Sequence, residues 1–233
     1  YGNKAVDGGN LFLESSDKKR ILEEYPEAKP LIKKVMGATE FLYSKERHCL
    51  WIDDTDIDIA LSIPEIKNRI EKVKEVRLKS KDKGANKLAA KPHQFRDFKN
   101  SKSHTIVVPS ASSENRPYLP IGIVSNDTIL TNRTHVIYDG DMFVFGLLSS
   151  RMHLVWVLAT AGRLESRINY SSEICYNNFP IPEIAPKVME IITEKATKIL
   201  LVREQFPDKN IAELYDKDNF PAELMQAHKE LDQ

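Results

Sequence analysis

The chain has 233 residues, 41 % of them hydrophobic and 29 % charged, and its 34 basic side chains balance 34 acidic ones. That length suits one large domain or a domain with an appendage, and the composition excludes a disordered, collagenous or disulfide-dense chain. No signal peptide or bilayer span is legible, because the most apolar stretch, 142–158, is interrupted by Ser149, Ser150, Arg151 and His153.

In chain order, a turn-rich start over 2–9 leads to an amphipathic helix over 16–25, with Ser16 as N-cap and Ile21, Leu22 and Tyr25 on one face. A second helix is predicted over 28–36, stopped by Gly37 in a left-handed cap. Residues 39–43 and 48–52 read as short strands around a polar turn. Asp54, Asp56, Asp58 and Glu65 match positions of a calcium loop, but Ile59 stands where that loop needs Gly. The same carboxylates, with Asp53, suit the N-terminus of the helix that follows. That helix is predicted over 64–78, with Ile66, Ile70 and Val73 at helical spacing.

Beyond it come strand-like runs over 105–109, 118–124, 128–130, 135–138 and 143–145, then a buried helix over 146–159. A boundary falls near 177–182, and helices over 186–206, 210–215 and 221–231 complete the chain. The pattern predicts an α+β fold: a mixed sheet with flanking helices and loops, then a small all-α C-terminal appendage. The chain starts at Tyr1 without an initiator methionine and stops in helical text at Gln233, and both ends read as cuts in a longer polypeptide.

Few catalytic signatures are present. There is no glycine-rich nucleotide loop, no G-x-S-x-G and no H-E-x-x-H, and the six histidines lack metal-ligand spacing. His153, on an apolar helix, reads as a structural histidine, and Cys49 and Cys175 as small buried hydrophobes in a reducing, cytoplasmic chain. Asp97-Phe98-Lys99 matches half of a metal-dependent nuclease core, with Asp58 or Asp82 as upstream ligand, although its surroundings are polar rather than strand-like. No catalytic, cofactor-binding or metal-binding residue is predicted within the chain.

The positive signal is charge. Thirteen Lys and Arg lie between Lys67 and Lys102 against four acids, a local net charge of plus nine. Lysines and arginines contact phosphates, while Arg, Lys, Asn, Gln, Ser and Glu on positioned loops read base edges. Arg77, Lys79, Ser80, Lys81, Lys83, Lys87, Lys91, Gln94 and Arg96 are therefore candidate DNA contacts; the alternative is the solvated face of a lysine-rich helix. A second cluster, Ser112, Ser113, Glu114, Asn115 and Arg116, lies between Pro109 and Pro117 on a stiffly held loop. There Glu114 and Arg116 either read bases or pair with each other to brace the loop.

The phrases Asp7-Gly8-Gly9, Gly37-Ala38-Thr39-Glu40-Phe41 and Arg47-His48-Cys49-Leu50-Trp51 continue with Ser112 to Arg116 and Tyr118-Leu119-Pro120-Ile121-Gly122. Ser150-Arg151-Met152-His153, Tyr176-Asn177-Asn178-Phe179-Pro180, Leu214-Tyr215-Asp216 and Ala227-His228 follow in order. In these phrases the chain resembles the C-terminal half of MmeI-like type II (IIG/IIL) restriction–modification enzymes. The resemblance implies a target-recognition domain over 1–180, whose loops read double-stranded DNA, and a C-terminal helical domain over 181–233. It also implies an upstream methyltransferase domain as partner, which binds S-adenosylmethionine and methylates adenine N6 at an N-P-P-[YF] motif absent from this sequence. A nuclease using Mg²⁺ would be fused to it in some members. Family members similar to this chain usually carry Thr in the segment matching Lys83 to Lys87, and this chain has no Thr there. Two readings of other classes stand beside this one: a protein–protein interaction module, and a stand-alone nucleic-acid-binding domain.

Overall fold

The computed structural model describes all residues, Tyr1–Gln233. Ten strands form three small sheets rather than one. The first, the mixed one, orders β1 (Phe12–Leu13), β3 (His48–Leu50), β2 (Ile32–Met36) and β7 (Thr128–Leu130). Only its β2–β7 pair is parallel. The second sheet has β4 (His104–Pro109) between β6 (Gly122–Ser125) and β8 (Thr134–Tyr138); the third has β10 (Arg167–Asn169) between β5 (Ala111–Ser112) and β9 (Gly162–Leu164).

Helices α1 (Ser15–Glu24), α3 (Ile57–Ser62) and α4 (Pro64–Leu78) bury Ile21, Ala60, Ile66, Ile70 and Val73 in one core with Leu50, Ile52 and Ile129. The spacing read in the sequence for α4 is the face it buries. A second core joins the β4 sheet to α6 (Met142–Ser149) and α7 (Arg151–Thr160) through Ile106, Phe145, Leu154 and Val157. Against it lie α8 (Pro186–Glu204), α9 (Ile211–Leu214) and α10 (Ala222–Leu231), which enclose a third core. Two short helices, α2 (Ala38–Tyr43) and α5 (Lys83–Lys87), complete the set.

Five expectations are corrected. Residues 28–36 are not a helix: Pro26–Leu31 is a 3₁₀ turn and Ile32–Met36 is β2, since Pro30 removes a helical donor and β3 and β7 offer ladders on both sides. Gly37, expected as a left-handed C-cap, is instead extended and caps α2, so 39–43 is helical rather than a strand. Its Glu40 carboxylate accepts the Gly37 N–H at 2.8 Å, half of a capping box. Residues 143–145 open α6, where Asp141 accepts the Val144 N–H at 2.8 Å. The helix expected over 146–159 breaks at Ser150 into α6 and α7, bent by 60°, because Ser150 caps the second helix through the His153 N–H. The first helix, in turn, starts at Ser15 with no side-chain cap rather than with Ser16 as its cap.

Gly146 sets the approach of α6 to α8. A Cβ there would lie 2.7 Å from Ile192 Cγ2 and 3.1 Å from Ala196 Cβ. Gly146→Ala gains helix propensity, ~1 kcal/mol, but forces two packed helices apart, which costs ~1–3 kcal/mol. The clash wins, and chemical denaturation is expected to show a net loss of about 1 kcal/mol.

No single helix is long and apolar enough to cross a membrane. The two cysteines are buried, Cys49 in the first core and Cys175 in the second.

Candidate nucleic-acid interface

The candidate DNA contacts begin in the last turn of α4, and the first of them is not a surface residue. Arg77 is 1 % exposed. Its Nε donates to Val6 O at 2.8 Å, Nη1 to Leu88 O and Lys91 O, and Nη2 to Ala5 O and Gln94 O at 3.1 and 2.6 Å. All five guanidinium donors are thus used on backbone carbonyls. Val6 holds φ at 53°, a left-handed conformation rare for a β-branched residue, and so presents its carbonyl to this knot. Arg77 is therefore removed from the DNA-contact set: it is the post around which residues 88–94 and the N-terminal strip are wound.

Around that post the segment is more structured than a loop. Asp82 accepts the Gly84 N–H at 2.7 Å and caps α5, and Leu88–Ala90 continues as a 3₁₀ turn. Asn86 donates its amide to the carbonyls of Arg77, Leu78 and Ser80, which closes the C-terminus of α4. Lys79, Lys81, Lys83 and Lys87 all stand exposed on this α4–α5 corner. Lys79 reaches back to Glu75 at 3.4 Å across one exposed helical turn, a contact of little energetic weight. Ser80 is half-buried and its hydroxyl accepts the Asp82 N–H, a turn-forming role.

Lys91 and Gln94 are taken up elsewhere. Both donate to the Asp54 carboxylate, which His93 also meets at 2.9 Å. Hydrogen bonds from Lys91 and then His93 hold that carboxyl below its ordinary pKa. The acidic group thus serves an ion-pair knot and the first turns of the 3₁₀ segment Asp54–Asp56 and of α3. Arg96 is exposed and lines an open cleft of about 330 Å³ with Lys4, Asp97 and Asn132. Asp97 sits outside any strand and accepts the Lys4 N–H, so the half-motif is not mounted as a nuclease core.

The 112–116 cluster hangs from a different substructure. Ser112 is buried in β5, paired with Ile168. Ser113 is half-buried, and Glu114 and Asn115 are exposed at the tip of the loop. Glu114 and Arg116 do not pair: Glu114 faces Arg163 of the β9–β10 hairpin at 3.4 Å, and Arg116 donates to Ala212 O at 2.9 Å. Burial lowers the Arg116 pKa without threatening its charge. Its other side lines a polar cleft of about 570 Å³ with Tyr43, Asp208, Lys209 and Asp216. Sequence reasoning missed the hairpin and Arg163, because three-residue strands carry too little alternation to register.

Two surfaces result, a lysine corner on the first core and a Glu114–Asn115 tip beside the hairpin. The model of the MmeI target recognition domain matches residues 1–183, and that of the MmeI C-terminal domain matches 184–233. The chain belongs to the MmeI family. It is 44 % identical over 232 residues to DNA methyltransferase A of Bacillus subtilis (strain 168), covering 100 % of this chain and 26 % of that protein. Among solved structures it is similar to the type IIL restriction–modification enzyme MmeI in complex with DNA, at a TM-score of 0.95 and 38 % identity. That match covers 100 % of this chain and 31 % of the enzyme. The chain therefore spans about a quarter to a third of the relatives it matches.

Proposed function

We propose that this chain reads a short sequence in double-stranded DNA on behalf of a methyltransferase domain in the same polypeptide. The observation that carries the reading is the match of 1–183 to the MmeI target recognition domain, with a fold like that of MmeI bound to DNA. The lysine corner, Lys79, Lys81, Lys83 and Lys87, holds phosphates and sets register, aided by Arg96. The tip formed by Ser113, Glu114, Asn115 and Arg116 reads base edges, with Glu114 an acceptor for cytosine N4 and Arg116 a donor to guanine. Recognition is assigned to 1–180 and the helical domain to 181–233.

Methyl transfer to adenine N6, with S-adenosylmethionine, belongs to the upstream domain, as would Mg²⁺-dependent cleavage if a nuclease is fused. The residues here do not fit the cofactor. The polar cleft beside Arg116 has a single aromatic wall, Tyr43, and no glycine-rich turn beside it. The chain's contribution is to hold the duplex still while an adenine is flipped out. A chain that reads the cell's DNA would work in the cytoplasm, where that DNA lies.

The test is fluorescence anisotropy of a labelled duplex across a salt series. The chain is expected to bind more weakly as salt rises, and Lys81→Glu with Lys87→Glu to lower affinity at least tenfold and flatten the log–log slope by about 2. Binding absent at low salt, or unmoved by both reversals, would overturn the lysine corner as the phosphate grip.

A further inference from the structure

Between β5 and β6 the chain leaves its sheet and passes through the helical C-terminal segment. Tyr118 is 4 % exposed and lies in the apolar cluster of Ile199, Leu214 and Leu224, not in the core of its own sheet. Its ring stacks on His228, centroids 4.0 Å apart and planes 19° from parallel, and its hydroxyl donates to Asp232 Oδ2 at 2.7 Å. The other Asp232 oxygen accepts the Arg151 N–H at 2.8 Å, and Arg151 Nη1 donates to Pro117 O at 2.9 Å.

The same loop is held on both flanks. Arg116 donates to Ala212 O on one side, and Arg203 donates to Ile121 O at 2.6 Å on the other. Arg203 also donates to the Tyr215 hydroxyl, which lies 2.8 Å from His228 Nε2. Because a guanidinium only donates, the Tyr215 oxygen accepts from it and its own O–H donates to His228 Nε2. Residues 116, 117, 118 and 121 are thus each fastened to α7 or to the C-terminal helices. The tip at 113–115 is the free end of a strap pinned by another part of the chain.

We infer that the helical C-terminal segment is a jig for base reading, with Tyr118 and Asp232 as positioning residues that set where the exposed Glu114 and Asn115 meet the duplex. The inference rests on the DNA-reading role proposed above. A base contact survives only within hydrogen-bond distance and angle, so a strap that slides loses discrimination where its tip reads. The lysine corner stands on the first core, which shares no residue with the third, so the phosphate grip is left in place. Loosening the strap blurs part of the recognised sequence and spares the rest.

The experiment uses the complete polypeptide, expressed in bacteria lacking other adenine methylation, with the host genome sequenced for modified bases. Wild type is expected to mark one short motif. Tyr118→Phe and Asp232→Ala, each removing one partner of the 2.7 Å bond, are expected to mark it with about tenfold weaker preference at one or two base-pair positions and unchanged preference at the others. Ile70→Val, a mild loss in the first core, is expected to leave the motif intact. The inference is overturned if both strap variants keep the wild-type motif at every position, or if Ile70→Val relaxes the same positions. A wild type that marks no motif overturns the DNA-reading proposal itself, and the jig with it.

Discussion

Arg77→Ala is expected to destabilise the protein by about 3–5 kcal/mol, the range for deleting one member of a buried charged network. Hydrogen bonds from a charged donor contribute roughly 1.5–3 kcal/mol each, but the five here share one desolvated guanidinium and do not sum. Truncation leaves five carbonyls without their donor and opens a void where one of the largest fully buried side chains stood. Arg77→Lys, with three mobile donors in place of a planar fork, is expected to recover only part of the loss. Urea denaturation at neutral pH measures both. A drop under 1 kcal/mol for the alanine variant would mean that the knot is held by packing alone. Since the segment wound on Arg77 adjoins the α4–α5 corner that carries Lys79 to Lys87, DNA affinity is expected to fall with stability, unlike in the exposed lysine reversals, for which stability is expected to stay unchanged.

The second large effect is on acid stability. Burial pushes His153 down to about 4 from 6.5, and does the same to His135. His228 lies well below its ordinary value, first through burial and then through Arg203. In each case the unfolded chain takes up a proton as pH falls below 6.5 while the folded chain resists, until about 4 for His153 and His135. Stability is therefore full above 6.5 and is lost as pH falls from 6.5 to 4, by about 3 kcal/mol for His153 alone at 1.36 kcal/mol per unit. Denaturation midpoints at pH 7, 6 and 5 should decline steadily. His153→Gln starts lower, because its bond to Tyr170 is altered, but should decline less steeply. Parallel slopes in the two proteins would remove His153 from the account.

Several features were written locally. The α4 face, the terminal helices and the strand at 104–109 announce themselves because long amphipathic or β-branched runs have only one way to bury their apolar side. The burial of His153, Cys49 and Cys175 followed from their apolar neighbours. Short elements did not: β2 and α2 exchanged identities in the sequence reading, because five or six residues hold too little periodicity to outweigh the partner a segment finds.

The localised basic segment that first pointed to nucleic acid shows the same division. Its net charge and its position after α4 are properties of the sequence alone, and so is its family. Which charges face solvent is not. Arg77 and Lys81 are four residues apart in one basic run, yet one is fully buried and the other exposed. The cause is that Ala5, Val6, Leu88, Lys91 and Gln94 bring five carbonyls to a single point, from parts of the chain up to 72 residues away. Glu114 and Arg116, two residues apart, likewise turn to Arg163 and Ala212. Composition determines how much charge a segment carries, while long-range backbone geometry decides which of it is spent inside and which is left for DNA.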